Sequence, residues 1–329
     1  MSIAKSLTGL HSRLLARTGY QQIRNLSHAE AVSKRNTLFN EEQNRQKENV
    51  GRIEKIEVRY LGLPDDVTLV MNKGISTPFN CAQHLTEDHC KRSVLALLDG
   101  KLSWDIHRPL QESCTLQLLN FHDSDTNLVN KAFWRTCTFM LGAALEEAFT
   151  EKAGLKLHSF PGPNIRSGSF AHDIVLGRQG WQANTVELRA LSAEMTKLSA
   201  KELKIERLDI KENLAVEMFS DNPYKKQQIP DIANTSENSR VTVYRVGNHI
   251  DISRGPMVSN TRFLGKCTIS AIHEVAKEDN LGIYRVQGVA LPTGTILNHF
   301  AYSILEDRSR KLNPARLPTE PFEEQTMLA

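Results

Sequence analysis

A long stretch of regularly spaced apolar residues, at positions 130–149, is the clearest pattern in the chain. Its apolar residues recur every three or four positions, a spacing that places them on one face of an amphipathic helix. That face consists of Trp134, Cys137, Leu141, Ala144, Leu145 and Ala148. Asn130 stands where a side chain is expected to cap the first turn. The pattern therefore predicts one long helix whose apolar face lies in a core.

Residues 53–122 show the shorter period of a sheet. The segment IEKIEVRYL alternates apolar and charged positions, which is typical of a half-buried strand, and VTLVM, VLALL, LSWDI and CTLQLLNF predict further strands. The dipeptide Asp99-Gly100 favours a hairpin turn between two of them, and Thr77 and Pro78 favour the start of a short helix. The order strand, strand, helix, hairpin, strand predicts a small sheet packed on one helix.

Residues 123–312 combine both periods and predict an α+β domain. After the long helix, helices are expected at about 185–200 and 211–219, with IERLDI as a strand between them, and later strands at VTVYRV, KCTISAI and YRVQGVAL. The polar residues 229–240 predict a surface loop. A final helix at about 295–312 would carry Leu297, Ala301, Ile304 and Leu305 on one apolar side.

Three terminal segments fall outside these two domains. Residues 1–26 are basic, contain no acid and have leucines that can share a helix face, which is typical of a mitochondrial presequence; a disordered basic arm is the alternative. Residues 27–52 begin with the capping-box sequence Ser27 to Glu30 and predict a helical arm, either solvated or lying on a partner. Residues 313–329 are proline-rich and predict a disordered tail.

Composition narrows the class of protein. A chain of 329 residues should hold about two domains, and no apolar run approaches the roughly 18–20 residues of a membrane helix. The net charge of +3, from 41 basic and 38 acidic residues, neither requires nor excludes a polyanionic partner. Five cysteines without a disulfide spacing indicate a reducing compartment.

One cluster contains residue types that bind zinc, namely Cys81, His84, His89 and Cys90. Cys81 and His84 could share a helix face, but the spacing of the four fits no common zinc signature. Ordinary helix residues are therefore the favoured interpretation, and no metal site is predicted.

Four segments resemble the threonyl-tRNA synthetase family. FWRTCTFMLGAAL is similar to the helix that opens the family's editing domain, GNHIDISRGPM to a strand and turn of that domain, and RLDIKENLAVEMFSDNPYKKQQI to the segment between them. DGKLSWDIHRPLQESCTLQLLNF resembles the ubiquitin-like TGS module that precedes the editing domain. The resemblance implies a TGS-like β-grasp domain at 53–122, followed by an editing-like α+β domain at 123–312.

The resemblance also implies that the editing chemistry is missing. In that family two histidines on the helix, with a cysteine and a histidine around Arg-Gly-Pro, form a deacylation site. Arg135, Phe139, Ser253 and Met257 stand at the matching positions. Ester hydrolysis needs a group that moves a proton at working pH, and these side chains supply none. His172 and His249 are possible recruited bases, although surface or turn positions are expected for both.

The order of segments, with no aminoacylation domain after them, further resembles a family of mitochondrial large-subunit ribosomal proteins, number thirty-nine in that series. The resemblance implies a structural component of the mitochondrial ribosome in the matrix, which contacts ribosomal RNA and neighbouring ribosomal proteins and has no catalytic residue, cofactor or small-molecule substrate. A free RNA-binding factor and a trans-editing aminoacyl-tRNA deacylase are the alternatives.

A basic cluster near the end of the last predicted helix is the candidate RNA contact. It consists of Arg308, Arg310, Lys311 and Arg316. Basic side chains at a helix C-terminus also complement the helix dipole, so that phosphate contact and dipole stabilisation are equally compatible with the pattern.

Overall fold

A computed structural model describes residues 27–63, 65–236, 238–278 and 281–318. The predicted presequence at 1–26 and the last part of the predicted tail, 319–329, lie outside the described residues. The described chain is a mixed α+β fold with a five-stranded, a four-stranded and a three-stranded sheet, numbered below in chain order.

The N-terminal arm is one helix, α1 (His28–Glu48), and it begins with the predicted capping box, in which Ser27 accepts a hydrogen bond from the Glu30 amide. Its partner is the chain itself. Phe39 is fully buried against the three-stranded sheet, and the Arg35 guanidinium forms an ion pair with Asp221 at 2.9 Å. The face of the arm that carries Arg35 and Phe39 is therefore covered by the rest of the chain and is not available to another molecule.

The first sheet is close to the predicted one. It contains β1 (Lys55–Tyr60), β2 (Val67–Asn72), β3 (Leu95–Leu98), β4 (Leu102–Trp104) and β5 (Cys114–Leu119) in the order β2-β1-β5-β3-β4, with β1 parallel to β5. Asp99 and Gly100 both have positive φ, which the tight hairpin between β3 and β4 requires. The predicted short helix is α2 (Pro78–Leu85), capped by Thr77. A second short helix that was not predicted, α3 (Glu87–Arg92), follows it, because Thr86 ends α2 and caps α3.

The long helix α4 (Asn127–Ala148) starts three residues before the predicted position. Asn130 is therefore not its cap: it lies in the first turn, where its side-chain amide donates to the Thr126 hydroxyl at 3.0 Å. The predicted apolar face is buried except for Trp134, which is half-buried, and Ala148, which is exposed. Every residue from 136 to 142 is buried, because α4 packs on the four-stranded sheet, on the three-stranded sheet and on the helix Thr185–Ala200 rather than on one surface.

Two antiparallel sheets form the second half of the fold. The four-stranded sheet has the order β11-β12-β7-β6, from β6 (Lys156–Ser159), β7 (Phe170–Leu176), β11 (Leu264–Glu278) and β12 (Leu281–Pro292), and α5 (Thr185–Ala200) packs on it. The three-stranded sheet has the order β10-β9-β8, from β8 (Glu206–Lys211), β9 (Arg240–Val246) and β10 (His249–Ile252), with α6 (Glu212–Met218) beside it.

The predicted loop at 229–240 is wrong for its first half. Helix α7 (Pro223–Asn234) extends through it, with Asn222 as its cap and Pro223 in its first turn. Ile229 and Ala233 are buried in the core shared with Phe39, so the polar composition of the segment hid two inward-facing apolar positions.

The last helix, α8 (His299–Ser309), is shorter than predicted because Asn298 caps it. Its predicted apolar side is also wrong. Ile304 is 52% exposed and Leu297 40% exposed, whereas Tyr302 and Ser309 face the sheet and are buried.

The predicted disordered tail does not begin at residue 313. Asn313 is buried, and its amide nitrogen donates to the backbone oxygen of Ser169 at 2.7 Å. The buried guanidinium of Arg285, paired with Asp173, donates to the backbone oxygens of Asn313 and Arg316. These bonds hold the start of the predicted tail against β7 and β12.

Candidate functional site

The two segments that resemble the editing domain meet in the structure. Arg135 lies on α4, and its Nη1 donates to the backbone oxygen of Pro256 at 2.9 Å. Ser253 and Met257 flank this turn, and both are buried. This hydrogen bond joins α4, which carries Arg135 and Phe139, to the turn after β10, which carries Ser253 and Met257. The four positions predicted to lack acid–base groups therefore lie on these two elements.

Two of the four replacements fill space that a polar site would need. Phe139 is fully buried, and its ring centroid lies 5.0 Å from that of His249 and 6.3 Å from that of Tyr244. Met257 is 1% exposed and belongs to the same core. Aromatic and thioether groups of this kind pack closely and neither donate nor accept a proton. Phe139 and Met257 thus make the centre of this region an apolar contact.

Asp105, which directly follows β4 of the five-stranded sheet, reaches into this region. Its carboxylate accepts hydrogen bonds from the Tyr244 hydroxyl at 2.9 Å, from the Met257 amide at 2.8 Å and from Arg207 Nη1 at 3.2 Å. Burial raises the pKa of Tyr244 well above its ordinary value, and the charge of Asp105 raises that pKa further. The phenol therefore stays protonated and acts as a donor. No sequence pattern marked Asp105, because its partners lie more than 100 positions away.

A buried polar cluster lies about two turns after Phe139 along α4, at Glu146. Nδ1 of His249 lies 2.6 Å from Glu146, and Lys225 Nζ lies 2.6 Å from Asp251 Oδ1. His172 Nε2 lies 3.6 Å from the other oxygen of Asp251. Burial alone would raise the pKa of the Glu146 carboxyl, yet the charges of His249 and Arg35 lower it to about 2. Opposite charges here neutralise one another inside the fold.

The absence of a side chain at Gly142 lets the imidazoles of His172 and His249 lie close to α4. A Cβ atom at this position would lie 3.1 Å from Nε2 of His172 and 3.3 Å from Nε2 of His249, tighter than ordinary contacts. A larger residue on α4 would push the imidazoles away from the helix.

Surface or turn positions are predicted for His172 and His249, the two possible recruited bases, and the prediction of exposure is wrong. The side chain of His172 is fully buried and that of His249 is 5% exposed. Their Nδ1 atoms are held by the Asp173 backbone oxygen and by Glu146. A general base must come within hydrogen-bond reach of its substrate. Buried imidazoles held in this way are structural groups.

The cysteine and histidine cluster of the first domain has structural partners. Cys81 is fully buried, and burial raises the pKa of its thiol to about 12. The two ring nitrogens of His89 contact the hydroxyls of Tyr60 and Thr86 at 2.8 and 2.6 Å. Across the described part of the chain, no group of three or more His, Cys, Asp or Glu residues has metal-binding geometry.

The predicted basic cluster lies where α8 ends. Arg308 donates to the Arg166 backbone oxygen, and Arg310 forms an ion pair with Asp307 at 2.5 Å. Lys311 is exposed, and the backbone oxygen of Arg316 accepts a hydrogen bond from Arg285. Arg308 brings the cluster next to a second basic group, Lys131 and Arg166, which the sequence patterns did not reveal.

Comparison with known proteins decides the family. No protein-family model matches the chain. Over 299 residues the chain is 67% identical to the large ribosomal subunit protein mL39 of Drosophila melanogaster, and the match covers 91% of this chain and 90% of that protein. The chain belongs to the mL39 family. The match leaves about 30 of the 329 residues outside it (329 − 299), so it includes the region of Arg135, Phe139, Ser253 and Met257.

This member of the mL39 family is also similar to threonine–tRNA ligases, at lower identity. It is 30% identical over 244 residues to the cytoplasmic threonine–tRNA ligase 1 of Bos taurus and 31% identical over 262 residues to the threonine–tRNA ligase of Thermotoga maritima. These matches cover 72% and 78% of this chain but only 31% and 37% of the ligases. The shared region is about a third of a ligase. Among the described helices of this mL39 relative, none is long and apolar enough to cross a membrane.

Proposed function

We propose that this chain is a structural component of the large ribosomal subunit of mitochondria, where it contacts ribosomal RNA and neighbouring ribosomal proteins during mitochondrial translation. The observation that carries the proposal is the 67% identity to a protein named for the large ribosomal subunit, over nine tenths of both chains. A match of this extent leaves little of either protein outside the comparison.

The geometry of the editing-like region supports a role without catalysis. Arg135 binds a backbone oxygen, Phe139 and Met257 pack in the core, and the nearby histidines are buried. Acid–base catalysis requires a group that exchanges protons with the substrate, and a guanidinium remains charged throughout the neutral range. The inherited fold then offers a surface and a rigid core in place of an active site.

The similarity to threonine–tRNA ligases supports a division of the chain into two domains. We assign residues 53–122 to a TGS-like β-grasp domain, in agreement with a five-stranded sheet whose β1 and β5 are parallel, and residues 123–312 to a degenerate editing-like domain. Residues 1–26 would act as the mitochondrial presequence, which places the mature chain in the matrix.

The basic cluster is our candidate contact with ribosomal RNA. Arg308, Arg310, Lys311 and Arg316 are all exposed and lie within nine positions of one another at the end of α8. Basic side chains that contact RNA phosphates set the position of a protein and add affinity without reading sequence. A net charge of only +3 is compatible with this role, because neighbouring proteins share the binding.

Sedimentation of a mitochondrial lysate tests the proposal. The chain should sediment with large ribosomal subunits and with whole ribosomes, and it should move to the light fractions when the particles are dissociated by removal of Mg²⁺. A chain found only in slowly sedimenting fractions would overturn the proposal and favour a free RNA-binding factor.

A further inference from the structure

A stripe of exposed apolar side chains runs along α8 and the residues just before it. In the described part of the chain twelve large apolar side chains are exposed, and five of them fall within positions 296–312. Four of these, Ile296, Leu297, Phe300 and Ile304, form what we call the outer stripe; Ile296 is 92% exposed and Phe300 74% exposed. Single exposed apolar residues are ordinary, whereas a patch of them bordered by polar residues marks an interaction site.

Helix α8 contacts the sheet largely through polar groups and turns its apolar residues to solvent. The Tyr302 hydroxyl lies 3.0 Å from the Thr268 hydroxyl, which donates to the Glu306 carboxylate at 2.8 Å. At the end of the helix the Ser309 backbone oxygen accepts from the Gln287 side-chain nitrogen at 2.6 Å. A surface helix that packs only on its own domain shows the reverse pattern. Because these bonds fix the orientation of α8, the outer stripe is a permanent feature of the surface.

The spacing of the outer stripe suits a second helix. Phe300 and Ile304 are four positions apart on α8, and Ile296 and Leu297 directly precede its cap, Asn298. Rows of side chains four residues apart are the ridges by which one helix packs into the groove of another. The eleven residues of α8 make about three turns, so a partner helix of similar length can cover the whole row.

The distribution of charge indicates what kind of helix this is. Positions 293–305 contain no Asp, Glu, Lys or Arg. RNA is bound through cations, whereas the buried centre of a protein interface is poor in charged residues, so the outer stripe fits a protein. Beyond the stripe Arg310 and Lys311 are exposed, with Asp307 paired to Arg310. This positive end complements a partner that carries acidic residues beside it.

We propose that the outer stripe binds an amphipathic helix of a neighbouring protein in the large ribosomal subunit. The apolar residues of that helix pack on Phe300 and Ile304, and its acidic residues lie beside Arg310 and Lys311. These two cations then stand between the partner helix and the ribosomal RNA of the proposed function. The inference rests on the proposed assembly into the large ribosomal subunit.

Photo-cross-linking of assembled large subunits tests this inference on the full chain. The photoreactive residue p-benzoylphenylalanine replaces Phe300 in one set of particles and Val186, which lies on α5 and is also 74% exposed, in the control set. From position 300 the cross-link should reach one protein segment with apolar residues three or four positions apart and Asp or Glu at one end. Position 186 should not capture that segment.

A synthetic peptide with the sequence of the captured segment gives a second readout. It should bind the purified full chain, and F300S/I304S should weaken this binding about tenfold, because a few central aromatic and apolar contacts dominate the affinity of an interface. The matched control V186S/A190S, at two exposed positions of α5, should leave the binding unchanged. Thermal unfolding should show wild-type stability for both variants, since all four side chains are exposed.

The outcomes separate the two proposals. Particles that contain the chain but give no cross-link from position 300, a cross-link to RNA, or a captured segment without this pattern would overturn the helix contact and leave the ribosomal role intact. Peptide binding that F300S/I304S does not weaken would overturn it equally. Large subunits that lack the wild-type chain altogether would overturn the proposed function itself.

Discussion

Arg135 on α4 donates a 2.9 Å hydrogen bond to the backbone oxygen of Pro256, in the turn that follows β10. The bond joins two of the segments that resemble the threonyl-tRNA synthetase family. Burial lowers the pKa of Arg135, but a guanidinium stays charged at neutral pH. Arg135 therefore ties a helix to a turn.

Replacing Arg135 with alanine should lower the free energy of unfolding by about 1–3 kcal/mol, because the Pro256 oxygen would lose a charged donor inside the fold. Chemical denaturation of the purified chain measures this loss. Arg92→Ala is the matched control: its ion pair with Asp88 is largely exposed and should contribute about 0–1 kcal/mol. Equal losses in the two variants would show that the Arg135 bond has no special structural role.

The bond between Tyr244 on β9 and Asp105 after β4 should couple the three-stranded and the five-stranded sheets. Tyr244→Phe keeps the packing of the ring but removes the donor to the Asp105 carboxylate, at an expected cost of about 1–3 kcal/mol. Asp105→Asn should cost a similar amount, because Arg207 keeps Asp209 as a second partner. In a double-mutant cycle the two substitutions should show a coupling energy of roughly 0.5–3 kcal/mol. Strictly additive losses would mean that the two side chains do not cooperate.

Glu146 should make the stability of the fold depend on pH in the acidic range. The carboxyl has a pKa of about 2 in the folded chain against an ordinary value of 4.5, so the folded state binds its proton less readily than the unfolded state. The resulting stabilisation, roughly 3 kcal/mol, is complete above pH 4.5 and is lost as the pH falls from 4.5 towards 2.

Unfolding free energies of wild-type protein and Glu146→Gln between pH 2 and pH 6 measure this effect. The variant should lose less stability than the wild type as the pH falls through this range. Glu48→Gln, at an exposed position of α1, serves as the control and should retain the wild-type profile. A Glu146→Gln profile parallel to that of the wild type would exclude the ion pairs with His249 and Arg35 as its cause.

Changing Arg308, Arg310 and Lys311 together to alanine should weaken incorporation into large subunits and leave the isolated fold nearly as stable as before. The three side chains are exposed, and the only acidic partner among their described contacts is Asp307, which pairs with Arg310. Gradient sedimentation of lysates that express each variant measures incorporation, with K101A/K211A as the control for loss of charge. Unchanged incorporation of the triple variant would exclude this cluster as an RNA contact.

Local patterns predicted much of the fold. The alternation from residue 55 gave β1, the apolar spacing gave α4 to within three residues of its start, and the Asp99-Gly100 turn holds the predicted hairpin. Each of these features depends on residues close together in the chain. The start of α8 was less accurate because the cap Asn298 determines it rather than the apolar period, and α7, which Asn222 caps, was not predicted at all.

Long-range contacts could not be obtained in this way. Nothing near Asp105 indicates that Tyr244 and Met257 will bind it, and the buried state of His172 depends on elements more than 70 positions away, around Asp251. Lys131 and Arg166 are unremarkable in sequence and become neighbours only when the start of α4 meets the loop before β7. The resemblance alone identified the positions Arg135, Phe139, Ser253 and Met257. Only the structure showed what Arg135 and Phe139 contact, namely the Pro256 oxygen and the His249 ring.

Hydrolysis of mischarged seryl-tRNA by the purified chain tests most directly whether the inherited fold has exchanged its chemistry for structure. We predict that the aminoacyl ester will decay at the same rate with the protein as in buffer alone, across the neutral pH range, because Arg135, Phe139, Ser253 and Met257 provide no acid–base group. A faster decay in the presence of the protein, which increases with its concentration, would contradict this conclusion.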